Sequence, residues 1–384
     1  MRLGIDAWGL SRDGLYSGVG QYAFGLIRHL SGRFPTIEIV AYAGPGEQRP
    51  AWVPSCVAWR PVPALIPSKF AAFASRILWL PGLTRKDGID LFHAPAVHIR
   101  PSLPPVPRLP CPVVVTLHDL IPLTYYDLGQ LPRRQRVFYR WNLNRVFQAD
   151  ALITVSEHSA REIASLAGSM PDQLSVIPNA IDFAPNPMLA PLHRLGIERP
   201  YVLYAGSFEP RKNLARALSA FAELTSRGFP HQLVAVVERQ SGHAATIRAH
   251  LDKLGVRDRV RFQCNLPESD LRALYTHADV LFFPSLAEGF GFPPLQAAAC
   301  GLPVVTSDLP VLRANMQGEA IFVDPLDVGA MADGLHRALS DRKLRNRLRE
   351  SGPRLAAPFT VDRWVRHHAE TYERVLAGPR LAVS

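Results

Sequence analysis

Short apolar runs alternate with stretches of helical periodicity along almost the whole chain. Residues 2–6 read as a first strand, and beyond a long loop the apolar positions Val19, Tyr22, Ala23, Leu26, Ile27 and Leu30 recur at helical spacing. Residues 37–43, 91–93, 113–117 and 151–155 supply further buried strands, and a last short one lies near Val176. The second half repeats the pattern: strands are predicted at 201–205, 233–237, 260–262, 280–283, 304–306 and 320–324, with helical stretches between them. Strands separated by helices in this rhythm predict an α/β fold built on doubly wound parallel sheets. Between the halves, residues 183–200 carry Pro185, Pro187, Pro191 and Pro200, which disfavours both helix and strand and predicts a linker. A chain of 384 residues exceeds one ordinary core. The expected division is a first domain over 1–185, a linker over 186–200, a second domain over 201–360 and a C-terminal amphipathic helix within 361–384 that returns to the first domain.

Candidate chemistry gathers where predicted strands end. After the strand 280–283 comes a glycine-broken loop, Glu288-Gly289-Phe290-Gly291-Phe292, and Pro293 opens an Ala-rich helix that Gly301-Leu302-Pro303 stops. Gly289 and Gly291 let the backbone approach a ligand, and the unpaired N–H groups at the helix start suit an anion. After the strand 201–205, Gly206 leads to Arg211 and Lys212 at a loop-to-helix junction, where fixed positive charge and a helix start converge. The strand 113–117 ends in His118-Asp119: the histidine is placed to meet a hydroxyl, and the carboxylate is either a ligand contact or the cap of the next turn. Gly18 and Gly20 open the first helix, but too far from the first strand to form the tight turn of a dinucleotide fingerprint.

Glu288 through Pro293, then Gln296, then Cys300-Gly301-Leu302-Pro303-Val304-Val305, resembles the signature of the glycosyltransferase family 4 enzymes, and within them a mannosyltransferase-like group. These are retaining, nucleotide-sugar-dependent enzymes of GT-B fold. The resemblance implies two Rossmann-like doubly wound domains facing across a cleft, the first binding the acceptor and the second the donor. It implies catalytic roles for Lys212, Arg211, Glu288 and His118, and donor contacts from Gly18, Gly20, Gly206, Gly289, Phe290, Gly291, Phe292 and Gln296. Asp119 is the acceptor-side candidate. The family pattern places a second glutamate where Gln296 stands, and often a glycine where Glu238-Arg239 follows the strand 233–237. The implied reaction is hexosyl transfer, mannose-like, from a nucleoside diphosphate sugar to a glycan or lipid-linked saccharide in surface polysaccharide synthesis. The front-face mechanism needs no enzymic nucleophile, and no metal or other cofactor is expected. A non-catalytic nucleotide-sugar-binding subunit and a sugar-nucleotide epimerase are the alternative readings.

Composition narrows the partners. Apolar residues make up 47% of the chain and charged ones 20%, which predicts a folded globular protein. There is no run of about 18 apolar residues and no signal-peptide pattern at the amino terminus, so a chain without a spanning helix is expected. Cys56, Cys111, Cys264 and Cys300 are widely spaced, which argues against disulfides or a metal site and for a reduced, cytoplasmic setting. The net charge of +10 favours anionic partners. No zinc-finger spacing or polybasic tail points to nucleic acid. Two stretches, 69–86 and 133–147, combine arginines and lysines with aromatics. In the second, Val137, Trp141, Asn144 or Arg145, and Gln148 share a face. Each stretch reads either as a solvated amphipathic helix or as one that rests on an anionic membrane, which would make the protein peripheral on the inner face of the cell membrane.

Overall fold

The computed structural model describes residues 1–8, 18–63, 69–96, 108–125, 133–237 and 244–378. They form two units: Met1–Ala180 together with Val361–Ser384, and Ile181–Thr360. The loop preceding Gly18 and the Glu238-Arg239 position lie outside the described residues.

In the first unit β1 (Arg2–Asp6), β2 (Glu38–Ala43), β3 (Ala58–Pro61), β4 (Leu91–Ala94), β5 (Val113–Thr116), β6 (Ala151–Thr154) and β7 (Leu174–Val176) form one parallel sheet. Its order is β3-β2-β1-β4-β5-β6-β7. Leu3, Ile5, Phe92, Val114 and Leu152 are wholly buried, as expected of strands covered on both faces. In the second unit β8 (Tyr201–Gly206), β9 (Gln232–Val237), β10 (Val260–Gln263), β11 (Val280–Phe283), β12 (Val304–Ser307) and β13 (Ile321–Val323) follow the order β10-β9-β8-β11-β12-β13, again parallel. The helices Leu214–Ser226 and Val328–Ser340 bury Ala217, Leu218, Phe221, Met331 and Leu335 against Val202, Leu233 and Phe282. Gly334 sets the closeness of that packing, since a Cβ there would stand 2.5 Å from Val323 Cγ1.

The chain order fixes one special place in each sheet. From β8 the chain moves outward through β9 and β10, then returns to the other side of β8 as β11 and moves outward again through β12 and β13. The connections after β8 and β11 therefore lead to opposite sides of the sheet, and the point where both begin, at the carboxyl ends of these strands, is where parallel sheets hold ligands. In the first unit the same reversal falls between β1 and β4.

The C-terminal helix Val361–Ala377 joins the first unit through a run of buried hydrogen bonds. His368 Nδ1 lies 2.7 Å from the Trp364 carbonyl, which can only accept, so the proton is on Nδ1 and Nε2 accepts. Tyr22 Oη then donates to that Nε2 at 2.6 Å and accepts from Thr116 Oγ1 at 2.9 Å. Thr116 in turn accepts from His93 Nε2 at 2.8 Å, and Tyr372 Oη donates to His93 Nδ1 at 2.7 Å. The hydroxyls of Tyr22, Thr116 and Tyr372 and all four imidazole nitrogens are satisfied with both imidazoles neutral, while the buried Trp364 indole N–H has no hydrogen-bond partner.

The structure adds local detail to the expected elements. The proline-rich segment after Ala180 is part of the second unit: Ile181 N donates to the Phe359 carbonyl, Phe183 packs on Tyr275, and Asn186 bonds Thr276 and Ser269. It also contains a short helix, Ala190–Arg194, because Pro191 falls in the first turn, where its missing N–H costs nothing. Ser156 caps the helix Glu157–Ala167 by accepting from Ser159 N. Finally, the helix Arg133–Val146 buries Tyr139, Leu143 and Val146, a competing helical repeat, and turns Val137 and Trp141 outward with 63% and 44% of their surface exposed.

Candidate active site

The loops after β8 and β11 meet at the reversal point of the second sheet. Lys212 Nζ donates to Glu288 Oε1 at 2.5 Å, and Arg211 Nη1 stands 3.7 Å from Glu288 Oε2. Arg211 also pairs with Glu209 at 2.9 Å. The side chains of Lys212 and Glu288 keep only 13% and 8% of their surface exposed, so the pair is largely desolvated. Burial alone would push the Glu288 carboxyl up, but Lys212, Arg211 and the Ser285 hydroxyl outweigh it and hold it below the usual carboxylate range. Burial pulls the Lys212 ammonium below its ordinary value, opposed by the Glu288 charge. The ammonium also lies 5.2 Å from the centroid of the Phe283 ring.

Backbone contacts set these side chains in place. Tyr204 Oη donates to the Lys212 carbonyl at 2.9 Å, and Leu286 N donates to the Arg211 carbonyl at 2.7 Å, which ties one loop to the other. Asn213 takes the left-handed conformation at φ 60°, which asparagine tolerates better than most residues. Its amide donates to the carbonyls of Pro284 at 3.0 Å and Pro325 at 2.6 Å, so one buried side chain joins the loops after β8, β11 and β13. In the sequence Asn213 is signalled only by its place between a cation pair and a helix start. At Gly206 a Cβ would meet Tyr204 Oη at 2.7 Å, so glycine keeps the tyrosine's reach to Lys212 open.

The glycine loop contributes donors rather than charge. Gly291 caps the helix Phe292–Ala299 at φ 90°, and a Cβ there would fall 2.5 Å from Leu312 Cδ2, so the position demands glycine twice over. No side chain caps this helix, and its first N–H groups have no partner within it. Asn315 Nδ2 holds the Phe290 carbonyl at 2.7 Å, while the Phe290 ring packs against Phe292 and Phe359. Gln296 lies half-buried one turn after Phe292 on the same helix. Nearby, at the carboxyl ends of β9 and β10, a cavity of about 170 Å³ is lined by Phe208, Val237, Ile247, Arg248, Phe262 and Gln263. Phe208 belongs to the same loop as Arg211 and Lys212.

Two family models together account for most of the chain: the one described as Glycosyltransferase Family 4 matches residues 16–184, and the one described as Glycosyl transferases group 1 matches residues 193–355. The chain belongs to glycosyltransferase family 4. Among its curated relatives is the serotype-specific mannosyltransferase WbdA of Escherichia coli, 27% identical over 284 residues that make up 71% of this chain and 34% of WbdA. The chain thus spans about a third of the length of that relative. A D-inositol 3-phosphate glycosyltransferase of Acidothermus cellulolyticus is 31% identical over 290 residues, 71% of this chain and 64% of the relative. The sucrose-phosphate synthase of Thermosynechococcus elongatus superposes with a TM-score of 0.79 at 20% identity, over 98% of this chain and 99% of that one. Its fold is therefore GT-B.

In this family 4 glycosyltransferase the second unit gathers Gly206, Arg211, Lys212, Glu288, Gly289, Phe290, Gly291, Phe292 and Gln296 at one end of one sheet. The other expected site residues stand in the first unit. His118 follows β5; its Nε2 donates to the Pro95 carbonyl at 2.8 Å, which makes Nδ1 the acceptor, and its ring meets Tyr22 edge-on at 4.8 Å. Asp119 Oδ1 accepts from Ile121 N at 3.1 Å, the turn-capping alternative. Gly18 and Gly20 lie in the first turn of the helix Gly18–Arg33, with Gly20 buried. All four cysteines are free, and among the described residues no group of three or more His, Cys, Asp or Glu is arranged to hold a metal ion. No helix among them is long and apolar enough to cross a membrane.

Proposed function

We propose that the protein transfers a hexosyl group, mannose-like, from a nucleoside diphosphate sugar to a glycan or lipid-linked saccharide in surface polysaccharide synthesis, with retention of configuration. The observation that carries the reading is the Arg211–Lys212–Glu288 cluster at the reversal point of the second sheet. Breaking a bond to a nucleoside diphosphate leaves negative charge on phosphate, and two cations fixed in a partly dry loop stabilise that charge without reorganising. The N–H groups of the glycine loop and the start of the helix Phe292–Ala299 add donors for the same oxygens. Once a diphosphate draws Lys212 away, the Glu288 carboxylate becomes an acceptor for sugar hydroxyls, so the two halves of the donor are read by one ion pair coming apart. The departing phosphate takes the acceptor's proton, and no protein nucleophile is needed. Positive charge from Arg211 and Lys212 stands where other enzymes use a metal.

The apolar cavity beside Phe208 has room for a flat heterocycle, which supports a nucleoside on the same loop. The mannosyltransferase name of the relative WbdA supports the sugar class. Val137 and Trp141, exposed on a helix that also exposes Arg133 and Arg140, support a peripheral position on an anionic membrane, on its cytoplasmic side. A panel of nucleotide sugars tested by thermal shift checks the reading. A matched donor at a hundred times its Kd stabilises by about 2.7 kcal/mol. If no nucleotide sugar raises the unfolding temperature above the matching concentration of inorganic diphosphate, the donor assignment fails.

A further inference from the structure

The first unit holds a buried charge device that the donor chemistry does not use. Asp6 ends β1, beside the point where the order of that sheet reverses. One of its carboxylate oxygens accepts from Trp8 N at 3.2 Å, and the other takes a hydrogen bond from Arg76, which arrives from the helix Lys69–Lys86. Only 2% of the Arg76 side chain and 5% of that of Asp6 are exposed. Stripping water from both partners of an ion pair costs about as much as their attraction returns, so the pair is a poor device for stability alone. What it supplies is position. The guanidinium lies 5.9 Å from the centroid of the Trp8 ring, and an ion-paired, buried arginine cannot drift away from it. Gly44, just past β2, makes room for the ring: a Cβ there would come within 3.3 Å of Trp8 Cε2 and 3.0 Å of Glu47. Trp8 itself is half-buried, two residues past the end of β1 and so beside the reversal point of the sheet.

We propose that Trp8 is a stacking platform for one sugar ring of the acceptor saccharide, held in place by the Asp6–Arg76 pair. A pyranose has a face of C–H groups and an edge of hydroxyls. The C–H face loses water against a flat indole, while the hydroxyls stay hydrated or find polar partners. A ring already locked by Arg76 and by the Asp6 contact to its backbone loses little freedom on binding, which favours recognition of so small an apolar surface. Trp8 is thus a binding residue and Arg76 a positioning residue. The ligand class rests on the transferase reading above; the ring geometry does not.

The test separates the two. Full-length protein labelled with fluorotryptophan is titrated with methyl α-mannopyranoside, methyl α-glucopyranoside and methyl α-galactopyranoside over roughly 1 to 100 mM, the range of weak single-sugar contacts. The fluorine resonance missing from Trp8→Phe is that of Trp8. A saturable shift of this resonance with at least one glycoside, without a matching shift of the other tryptophans, is the expected result. A Trp8 resonance that stays still with all three overturns the proposal, whether or not the protein proves to be a transferase. In transfer assays Trp8→Leu is expected to raise the acceptor KM about tenfold, worth about 1.4 kcal/mol. The donor KM and the slow hydrolysis of donor by water should stay unchanged, and Trp8→Phe should recover most of the affinity. Equal losses in transfer and in donor hydrolysis would mark Trp8 as merely structural and would also overturn the proposal.

Discussion

The Lys212–Glu288 pair allows stability and catalysis to be separated by a cycle of three variants. Lys212→Met removes the ammonium but leaves Glu288, 8% exposed, with Arg211 as its remaining cation at 3.7 Å. Orphaning one member of a buried pair costs about 3–5 kcal/mol, and the remaining arginine reduces that to about 2 kcal/mol. For a unit of this size the melting temperature then falls by roughly 4–8 °C. Glu288→Gln in the same background takes away the orphaned charge and keeps the shape, so the double variant should regain most of the lost stability. Activity should not follow. Losing one cation from the leaving phosphate costs about 3 kcal/mol of barrier, or roughly a hundredfold in kcat/KM, and the double variant should be at least as slow as the single one. The assays are calorimetric melting of the three variants and of the wild type, and initial rates with whichever donor the thermal screen selects. A Lys212→Met, Glu288→Gln protein that melts with the wild type and also transfers at the wild-type rate would refute the diphosphate role.

Three further outcomes are expected. Burial holds the His368 imidazole down at about 4 and His93 well below its ordinary value, against about 6.5 in an unfolded chain. Below pH 6.5 the unfolded chain therefore takes up protons that the folded first unit refuses. Stability is then full above that pH and falls by about 1.4 kcal/mol per unit for each histidine as the pH drops toward 4, and a urea midpoint that stays flat between pH 7 and pH 5 would contradict this. Sedimentation with vesicles should show binding that grows with anionic lipid content and weakens when Arg133, Arg134 and Arg136 become Gln, whereas indifference to either change would leave 133–146 a solvated helix. Gln296 offers one acceptor oxygen and one donor where a carboxylate would offer two acceptors, so it either binds a ribose with its hydroxyls turned differently or suits a deoxyribose presenting one hydroxyl, the second case being the one a Gln296→Glu variant tests. Gln296→Glu should then shift the ratio of catalytic efficiencies toward ribonucleotide donors, and an unchanged preference for ribonucleotides in both proteins would end that idea.

The sequence was most informative where function compresses chemistry into a short stretch. Glu288 to Gln296 and Gly206 to Lys212 could each be read locally, because a strand end, a glycine loop and a helix start are signals of neighbouring residues. That the two stretches share one site could not be read locally, since the pairing of β8 with β11 joins residues about eighty positions apart. Asn213 escaped for the same reason: its two acceptors, Pro284 and Pro325, lie far along the chain. Which face of the helix 133–146 is buried could not be read locally because two helical repeats overlap in it: the one through Tyr139, Leu143 and Val146 takes the core and the face containing Trp141 turns outward. The run from Tyr372 to Trp364 through His93, Thr116, Tyr22 and His368 left no trace in the sequence. Each of its members is an unremarkable residue until the fold stacks four elements together.

The return of Val361–Ala377 to the first unit has a consequence for biogenesis. Synthesis proceeds from the amino terminus, and domains ordinarily close as they emerge. Here Tyr22, His93 and Thr116 are made before the second unit, yet their partners His368 and Tyr372 are made after it. The second unit, which is contiguous, can close while Tyr22 and His93 of the first still lack these partners. A chain cut short after Thr360 would therefore hold a finished second unit and an unfinished first unit, and the growing chain presents a window in which chaperones have one partner to protect and not two.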